Sequence, residues 1–358
     1  MARLLVTGGA GFIGANFVQH WLQQHPGDRL VVLDALTYAG NLDNLREAQG
    51  REEFRFVHGN IGDGALVEQL LRDERLDTIV HFAAESHVDR SIEGPDAFIE
   101  TNILGTHVLL KAARRVWLED KTVPVHRFHH VSTDEVYGSL GPDDPAFCET
   151  TPYSPNSPYS ASKASSDHLV RAYHHTYGLA TTISNCSNNY GPYQFAEKLI
   201  PLMIAQLLQG KSLPVYGDGL NVRDWLHVHD HCRGIDAILS RGVVGEVYNI
   251  GGGTECENIR LVRSLCALVD EHLQATPALR ARFPQSAVAR GERSEQLIRF
   301  VTDRPGHDRR YAIDSSKLER ECAFKSSVSL EAGLRATVAW YIGREESSKI
   351  GWQRALAS

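Results

Sequence analysis

The sequence predicts an α/β fold, in which a doubly wound parallel sheet is joined to a smaller, interleaved α/β lobe. Three observations support it: strand-like apolar runs alternate with helical patterns, a glycine-rich loop follows the first run, and this rhythm loosens past residue 185. Alternating strands and helices are typical of a parallel sheet with helices on both faces. Ligands of such sheets bind beyond the carboxyl ends of the strands.

Short apolar runs mark the strands in order along the chain. They lie at 4–6, 30–33, 54–57, 78–82, 128–131, 181–184 and 247–250. Helical spacing of apolar residues lies between them, at about 12–24, 64–72, 95–117, 159–177 and 228–240. The first run, LLV, has no polar alternation, which is typical of a strand buried on both faces.

The first turn is rich in glycine and lies between a strand and a helix. Gly8 permits the tight turn, Gly11 lets a pyrophosphate approach the backbone, and Gly14 lets the helix pack on the strand. The helix N-terminus favours a bound anion. Asp34 ends the second strand about 20 residues later, where a carboxylate binds the ribose 2′-hydroxyl and disfavours a 2′-phosphate. The sequence therefore predicts NAD rather than NADP.

The 358 residues suffice for two domains, or for one large domain with a lobe. We assign 1–184, about 222–251 and 309–323 to an NAD-binding Rossmann domain. The stretches at about 185–221, 252–308 and 324–358 form the smaller, substrate-binding lobe. The first two of these are rich in Asn, Gly, Pro and Arg.

Bulk composition argues against several classes of function. The content of 42% hydrophobic and 23% charged residues is typical of a soluble globular protein, and the net charge of −7 disfavours a nucleic-acid partner. No apolar run approaches the roughly 18 residues that span a membrane, and the phosphate loop stands where a signal peptide would. The six cysteines show no CxxC spacing, which is typical of free thiols in a reducing cytosol. We expect a cytoplasmic protein with no membrane partner.

Two phrases carry the chemistry: 132–138 (STDEVYG) and 159–163 (YSASK). Tyr159 and Lys163 are four residues apart and share a helix face, where a lysine ammonium lowers the pKa of a phenol. Such a phenol suits removal of a hydroxyl proton. Asp134 and Glu135 add two carboxyls, which a plain dehydrogenase does not need. We predict a second step after oxidation, with elimination of water as the natural candidate.

The closely spaced His227, His229 and His231 raise the question of a metal site. On a strand they would share one face, but the segment resembles the start of a helix, where this spacing spreads the rings. We expect no metal site.

The chain resembles the extended short-chain dehydrogenase/reductase family and, within it, the dTDP-glucose 4,6-dehydratases. The phrases that carry the resemblance are 6–14 (VTGGAGFIG), 81–91 (HFAAESHVDRS), 132–138, 159–163, 187–194 (SNNYGPYQ), 221–226 (NVRDWL) and 303–311 (DRPGHDRRY). The glycine loop and the Tyr/Lys pair occur throughout the superfamily, whereas the Thr-Asp-Glu triplet is more specific, since the related sugar epimerases lack the Asp-Glu pair.

The resemblance implies three sets of site residues. The NAD-binding set is Gly8, Gly11, Phe12, Ile13, Gly14, Asp34, Ala35, Leu36, Thr37, Asn60, Ile61, Ala83, Ala84, Glu85, Thr101, Tyr159, Lys163 and Asn189. The sugar-binding set is Ser86, Thr133, Asn188, Glu197, Lys198 and Leu199. The set that holds the nucleotide diphosphate is Pro214, Val215, Tyr216, Arg223, Asn258, Asp303, Arg304, Pro305, Gly306 and His307.

Arginines are expected to supply the local positive charge that the acidic chain lacks overall. Guanidinium forks suit bidentate phosphate binding, and the candidates are Arg223, Arg304, Arg309 and Arg310. The chain departs from the family's usual residues at four places: Asn60, Asn185, Ala196 and the 252–254 loop. These departures concern the nucleotide and sugar preference rather than the catalytic set.

The resemblance also implies roles for the catalytic residues. Tyr159 takes the proton of the sugar C4 hydroxyl, Lys163 holds the cofactor ribose, and Thr133 steadies the C4 oxygen. Glu135 removes the C5 proton, and Asp134 protonates the departing C6 hydroxyl. The product is a 4-keto-6-deoxy sugar nucleotide with no net redox change.

Two other functions stay open. One is an NAD-dependent sugar-nucleotide 4-epimerase, or a 4,6-dehydratase of another nucleotide sugar. The other is a non-catalytic dinucleotide-binding regulator, against which the intact Tyr/Lys pair argues.

A homodimer is expected because the helices at 95–117 and 159–177 carry more apolar residues than one sheet face covers. The apolar residues that support this are Phe98, Ile103, Leu109, Ala113, Leu169 and Tyr173. Related enzymes pair these helices across a two-fold axis, the commonest symmetry of soluble oligomers.

Overall fold

A computed structural model describes residues 1–303 and 305–344 of the chain. In chain order, its strands are β1 (Arg3–Thr7), β2 (Arg29–Asp34), β3 (Phe54–His58), β4 (Thr78–His81), β5 (Arg127–Thr133), β6 (Thr181–Cys186), β7 (Asn188–Tyr190), β8 (Leu213–Tyr216), β9 (Val222–His227), β10 (Val247–Ile250), β11 (Glu255–Glu257) and β12 (Ile298–Val301).

The α-helices cover the strands and connect them. They are α1 (Phe12–Gln24), α2 (Gly64–Asp73), α3 (Val88–Glu93), α4 (Asp96–Phe98), α5 (Thr106–Ala113), α6 (Pro158–Tyr177), α7 (Leu199–Gln209), α8 (Val228–Arg241), α9 (Asn258–Ala275), α10 (Pro277–Arg282), α11 (Ser316–Cys322) and α12 (Leu330–Arg344). Turns of 3₁₀-helix lie at Leu42–Leu45, Asp134–Tyr137, Val288–Arg290 and Ser294–Leu297, and π-helical turns at Ile99–Gly105 and Arg114–Glu119.

Seven strands form one parallel sheet in the order β10-β6-β5-β4-β1-β2-β3. Every strand predicted from the apolar runs takes part in it, and the predicted fold class is confirmed. From β1 the chain runs outward through β2 and β3, and then in the other direction through β4, β5 and β6. The strand order therefore reverses between β1 and β4, where sheets of this type bind their ligands.

The central strand β1 is buried on both faces, as its apolar run predicts. Leu4 and Val6 pack in one core with residues of α1 and α8, whereas Leu5 packs in another with residues of α2 and α5. All three side chains are fully buried. Burial of a side chain of this size contributes about 1.5–3 kcal/mol.

The predicted helix over 95–117 is not one regular α-helix. It consists of α4, a π-helical turn, α5 and a second π-helical turn. Inside the first π turn, the Asn102 side chain accepts a hydrogen bond from the Glu85 N–H and donates one to the Glu85 carbonyl, both at 2.9 Å. Single π turns of this kind often lie at functional sites.

The lobe has its own small sheets and its own core. Strand β9 pairs with β7 in parallel and with β11 in antiparallel orientation, and β8 pairs with β12 in parallel. Helices α7, α9 and α12 supply an apolar core that includes Ile204, Leu265 and Val338. The division of the chain into two domains stays a prediction.

Some of the predictions concern residues that the structure does not describe, and others concern the chain as a whole. Arg304, and residues 345–358 of the predicted lobe, lie outside the described residues. Across the described ranges, no helix combines the length and apolar character that a bilayer crossing requires. All six cysteines are free thiols.

Candidate active site

A cleft of about 320 Å³ opens at the carboxyl ends of the parallel strands. It brings together the loop after β1, the end of β2, the loops after β4 and β5, and the start of α6. The predicted NAD-binding residues that line it are Gly8, Gly11, Phe12, Ile13, Gly14, Asp34, Ala35, Thr37, Asn60, Ile61, Ala83, Ala84, Glu85, Thr101, Tyr159, Lys163 and Asn189. Leu36 is the member of that set outside the lining. Residues far apart in the sequence thus converge on one edge of the sheet.

The glycine loop has the geometry that a dinucleotide phosphate requires. Gly8 adopts φ +70°, and a Cβ there would lie 2.6 Å from the Ala83 nitrogen. Gly11 is the N-cap of α1 and has no side chain to accept a hydrogen bond from the first N–H groups of the helix. These N–H groups are therefore left for an anion bound in the cleft. A Cβ on Gly14 would lie 2.3 Å from the Gly8 carbonyl oxygen. Side chains are therefore excluded where the loop and helix meet.

Replacing Gly14 by alanine is expected to lower both thermal stability and the amount of dinucleotide that copurifies. Overpacking of this kind typically destabilises a protein by about 1–3 kcal/mol, and here the clash is with the phosphate loop itself. Thermal melting and chromatographic measurement of released nucleotide test it. Gly94→Ala is the matched control, because a Cβ at Gly94 meets no atom within 4 Å. A Gly14→Ala protein with the parent's melting temperature and nucleotide content would contradict the prediction.

Asp34 is held at the end of β2 in position to bind a ribose. Its two carboxylate oxygens accept hydrogen bonds from the backbone N–H groups of Ala10 at 2.9 Å and Leu36 at 2.8 Å. Burial raises the pKa of this carboxyl, and the two hydrogen bonds oppose that shift. Leu36 bends back with φ +50°, the left-handed region that non-glycine residues rarely adopt. The loop thus wraps around the carboxylate at the cleft wall.

Tyr159 and Lys163 stand in the first two turns of α6, as predicted. A capping box between Ser157 and Ser160, with Pro158 at the first helical position, begins the helix. The Tyr159 phenol forms a hydrogen bond with Thr133. Burial, followed by the nearby Glu135, raises the pKa of Tyr159 well above its usual range.

The direction expected for the pKa of Tyr159 is therefore wrong for this structure. The Lys163 ammonium donates to the Val131 carbonyl at 2.8 Å and lies 3.4 Å from His130 Nε2. It is thus directed to the backbone and side chain of β5, and burial of the phenol dominates. Burial also lowers the pKa of Lys163 to about 8.

The two carboxyls of the triplet occupy a 3₁₀ turn at the end of β5. Thr133 caps this turn, because its hydroxyl accepts the Glu135 N–H at 3.3 Å. Asp134 is almost completely buried, and one of its oxygens, Oδ2, has no hydrogen-bond partner. Burial raises the pKa of Asp134 well above its usual range, and the charges of Glu135 and Asp224 add to the effect. This environment favours the protonated form of the carboxyl, which suits a proton donor.

Five of the six predicted sugar-binding residues line the same cleft as the triplet. Ser86, Thr133, Asn188, Glu197 and Lys198 line the cleft. The Lys198 ammonium donates to the Ser86 carbonyl at 2.9 Å, which joins two of these segments. Leu199 does not line the cleft; it begins α7 and packs against the lobe core.

The predicted nucleotide-diphosphate residues form a separate group in the lobe, outside the cleft lining. Pro214, Val215 and Tyr216 are on β8, and the paired strand β12 leads to Asp303, Pro305, Gly306 and His307. Arg223 is on β9, and Asn258 begins α9. The Tyr216 and His307 rings meet edge to face at 6.2 Å, and His307 Nδ1 lies 2.6 Å from an Asp303 oxygen.

The described arginines of this region have partners within the protein. The buried Arg223 donates to the carbonyls of Val222 and Asp308 and stacks over the Tyr311 ring at 4.4 Å. Arg309 pairs with Asp218 at 2.9 Å and Arg310 pairs with Glu255 at 2.6 Å. A role of these arginines in binding a diphosphate stays a prediction.

Several residues of the cleft were not predicted. Tyr38, immediately after the predicted Thr37, packs under the Arg90 guanidinium at 3.9 Å and against the Phe195 ring at 5.7 Å. It also forms a hydrogen bond with Glu197. The available signal was the position of this aromatic residue in the loop after β2. Further lining residues outside the prediction include Ser132, Cys186, Ser187, Gln194 and Phe195.

The three histidines of the considered metal motif diverge. His227 ends β9 and caps α8. The His229 ring meets the His20 ring at 6.1 Å, whereas His231 Nδ1 lies 2.9 Å from the Asn189 amide oxygen. The start of α8 at Val228 spreads the rings, as the spacing predicts for a helix.

The cleft is built for a ligand rich in polar groups. Five buried oxygens on its walls have no hydrogen-bond partner among the described residues: Asp134 Oδ2, Ser187 Oγ, Asn188 Oδ1, Gln194 Oε1 and Glu197 Oε1. An unsatisfied buried polar group costs about 1–3 kcal/mol. Hydroxyls of a sugar or of a cofactor ribose would satisfy these acceptors, so the residues present fit a dinucleotide beside a sugar.

The fold and the site together define a dinucleotide-dependent enzyme of the short-chain dehydrogenase/reductase class. The sheet order, the glycine loop and Asp34 form the dinucleotide site, and the Tyr159/Lys163 pair opens onto it. The chain belongs to the GDP-mannose 4,6 dehydratase family, whose model matches residues 5–337.

Relatives and solved structures narrow the similarity. A dTDP-glucose 4,6-dehydratase of Xanthomonas campestris pv. campestris (strain B100) is 57% identical over 344 residues, covering 96% of this chain and 93% of the relative. The structure of DesIV, a dTDP-glucose 4,6-dehydratase from Streptomyces venezuelae with NAD bound, superposes with a TM-score of 0.83 at 48% identity, covering 97% and 99% of the two chains. A UDP-glucose 4-epimerase from Thermotoga maritima is more distant, with a TM-score of 0.79 at 26% identity, covering 97% and 100%.

Proposed function

We propose that this NAD-dependent enzyme dehydrates dTDP-glucose to dTDP-4-keto-6-deoxyglucose. The observation that carries the proposal is one cleft that joins a Tyr/Lys pair to a buried carboxyl, whose environment favours the protonated form, and to its neighbouring glutamate. The curated relatives of this name cover nearly the whole chain and support the same activity.

Oxidation at C4 is proposed to depend on Tyr159, Lys163 and Thr133. As the phenolate, Tyr159 removes the C4 hydroxyl proton, and Thr133, its hydrogen-bond partner, steadies the C4 oxygen. Lys163 binds the cofactor ribose. NAD held in the cleft would supply the hydride acceptor for C4 and, once reduced, the hydride donor for C6, so none would be consumed overall.

Elimination is proposed to depend on the two adjacent carboxyls. The C4 ketone acidifies the C5 proton, which Glu135 removes. Asp134 donates a proton to the C6 hydroxyl, which leaves as water. This assignment is supported by burial, because Asp134 is the carboxyl whose environment favours the protonated form.

The substrate's nucleotide diphosphate is proposed to bind the lobe residues on β8, β9 and the segment after β12. Support comes from the exposed face of Tyr216, which lies beside His307 and offers an aromatic surface to a base.

The decisive experiment is incubation of the protein with a panel of nucleotide-glucose donors and mass detection of a loss of water. A 4-keto-6-deoxy product, with its absorbance in alkali, supports dehydration. A product of unchanged mass and inverted C4 indicates an epimerase, and loss of water from another nucleotide donor indicates a different dehydratase. Absence of turnover with every donor would support a non-catalytic regulator.

We propose a homodimer formed through α5, α6 and the π-helical turn at Ile99–Gly105. The apolar residues first considered for this face do not all serve it, because Phe98, Leu109, Ala113 and Tyr173 are buried within the protomer. Ile99, Leu104 and Tyr177, on the same segments, expose 43%, 54% and 42% of their surfaces.

Light scattering is expected to give twice the 39.7-kDa chain mass at micromolar concentration. Leu104→Lys should shift the protein toward monomer, because it places a charge in an apolar interface. Phe300→Lys is the control: Phe300 is 58% exposed but lies on β12 of the lobe, which is no part of these helices. A monomeric parent, or equal dissociation by both variants, would refute the proposed interface.

A cytoplasmic location is also proposed. It is supported by the six free thiols, since disulfides form mainly in oxidising compartments.

A further inference from the structure

A buried acid lies one helical turn beyond Lys163, on the side away from the cleft. Asp167 is 2% exposed, and its Oδ2 accepts hydrogen bonds from the Ser132 hydroxyl at 2.9 Å and the Tyr153 phenol at 3.0 Å. Tyr153 is itself held by the Asn185 amide at 3.2 Å. A buried carboxylate is costly unless it is paired, so its place under the active site calls for a partner charge.

Lys163 supplies that charge across a histidine. His130 Nε2 lies 3.4 Å from the Lys163 ammonium and 3.2 Å from Asp167 Oδ1. Although His130 is this near, Asp167 Oδ1 accepts no hydrogen bond. The Lys163 ammonium beyond the imidazole is therefore the charge that offsets the carboxylate. The contact between Asp167 and Ser132 also holds the residue that directly precedes Thr133.

We propose that Asp167 is a positioning residue, which keeps Lys163 protonated and holds the catalytic end of β5 through Ser132. This inference rests on the proposed function for the role of Lys163. Asp167 reaches neither the substrate nor the cofactor; it acts through the two residues it contacts.

The buried ionisable groups packed around the pair have pKa values shifted away from neutrality. Burial lowers the pKa values of His81 on β4 and His130 on β5 well below the usual range, so both imidazoles are neutral. Burial raises the pKa values of Cys186 on β6, Tyr153 in the loop before α6, and Tyr137 and Tyr159. His168, the neighbour of Asp167 on α6, is exposed.

The pair itself titrates on either side of neutrality. Burial raises the pKa of Asp167 to about 6, and burial lowers the pKa of Lys163 to about 8. Each charge opposes the other's shift: Asp167 raises the pKa of Lys163, and Lys163 lowers that of Asp167. Both are therefore ionised between those values, and loss of either charge favours the neutral form of the other.

The test is the pH dependence of NADH binding, measured by fluorescence with protein stripped of nucleotide. In the parent, affinity falls as pH rises through the pKa of Lys163, because the neutral amine binds the ribose less well. In Asp167→Asn, the fall should begin about one pH unit or more lower, since an opposite charge at this range shifts a pKa by about 1–3 units. Asp167→Glu, which keeps the charge, should restore the parental alkaline limb at least partly.

A second variant separates charge from hydrogen bonding. Tyr153→Phe removes a hydrogen bond that lowers the pKa of Asp167, but it keeps the carboxylate. Its alkaline limb should match the parent, because the carboxylate keeps its charge at the pH where Lys163 titrates. This variant tests the proposal even where Asp167→Asn fails to fold, which circular dichroism reports.

Equal weakening of NADH binding by Asp167→Asn at every pH, with no movement of the alkaline limb, would reduce Asp167 to a structural residue and overturn the proposal. A parent without an alkaline limb near the pKa of Lys163 would do the same. NADH binding needs no dehydration, so a parent that shows the predicted alkaline limb but forms no keto sugar would instead refute the proposed function.

Discussion

Glu135→Gln is expected to stop dehydration after oxidation at C4 and to lower turnover by about 10²–10⁴, the usual loss for one positioned acid/base group. The amide keeps the size of the side chain and leaves the Glu135 N–H that Thr133 accepts. It cannot accept the C5 proton. Tyr159, Lys163 and Thr133 remain, so proton removal at the C4 hydroxyl continues.

The variant should therefore accumulate a 4-keto sugar beside reduced nicotinamide. Stopped-flow absorbance at the reduced-nicotinamide band should rise to a plateau, and mass spectrometry in deuterated water should show no exchange at C5. Glu47→Gln is the control, because Glu47 is exposed and lies outside the cleft. Dehydration by Glu135→Gln at the parental rate would show that another group is the base.

Sequence periodicity was enough to predict the sheet, because its signal is local. The runs at β1, β2 and β6 are short, apolar and followed by turn residues, and parallel pairing places their ends at one edge. The glycine loop, Asp34, Tyr159 and Lys163 meet in the cleft for the same reason. Residues that follow strands of one parallel sheet converge whatever their distance along the chain.

What the sequence could not provide depends on contacts between distant segments. The π turn around Asn102 is a response to the Glu85 backbone, which no helical pattern within 95–117 contains. The ion pairs Arg309–Asp218 and Arg310–Glu255 join segments about 90 and 55 residues apart, so the arginines looked unpaired in the sequence. The pKa of Tyr159 depends mainly on burial of the phenol, which the sequence does not reveal. The nearby Lys163, by contrast, could be inferred from its spacing along the helix.

Helix α9 was not predicted either, although its signal is local in the sequence. Its buried residues Ile259, Val262, Cys266 and Val269 recur every three or four positions, so its amphipathic pattern was present in the sequence. The polar and glycine-rich segments around it favoured an irregular lobe. A period count over 258–275 would have found the helix.

The second large effect is expected from Asp134→Asn, which should slow loss of the C6 hydroxyl by about 10²–10⁴. An asparagine retains the oxygen that accepts the Thr133 hydroxyl at 3.4 Å. It has no acidic proton to transfer to the leaving group. Because Glu135 remains, exchange of the C5 proton with deuterated water should stay detectable if the two steps are separable.

Stability distinguishes this loss of activity from damage to the fold. The folded-state pKa of Asp134 lies well above its usual value. The stability that protonation provides is present at low pH and declines as pH rises from the unfolded pKa toward the folded one. Asparagine does not titrate, so Asp134→Asn should melt no lower than the parent at neutral pH, even though it is inactive.

Thermal melting and the C5 exchange experiment together test the assignment, with Asp73→Asn as a control at an exposed position on α2. Retained melting temperature, retained exchange and slow release of water identify Asp134 as the acid. If both carboxyl variants lose exchange together, elimination is concerted and the two groups act in one step. Dehydration at the parental rate by Asp134→Asn would exclude this carboxyl as the proton donor, because the amide that replaces it cannot protonate the leaving group.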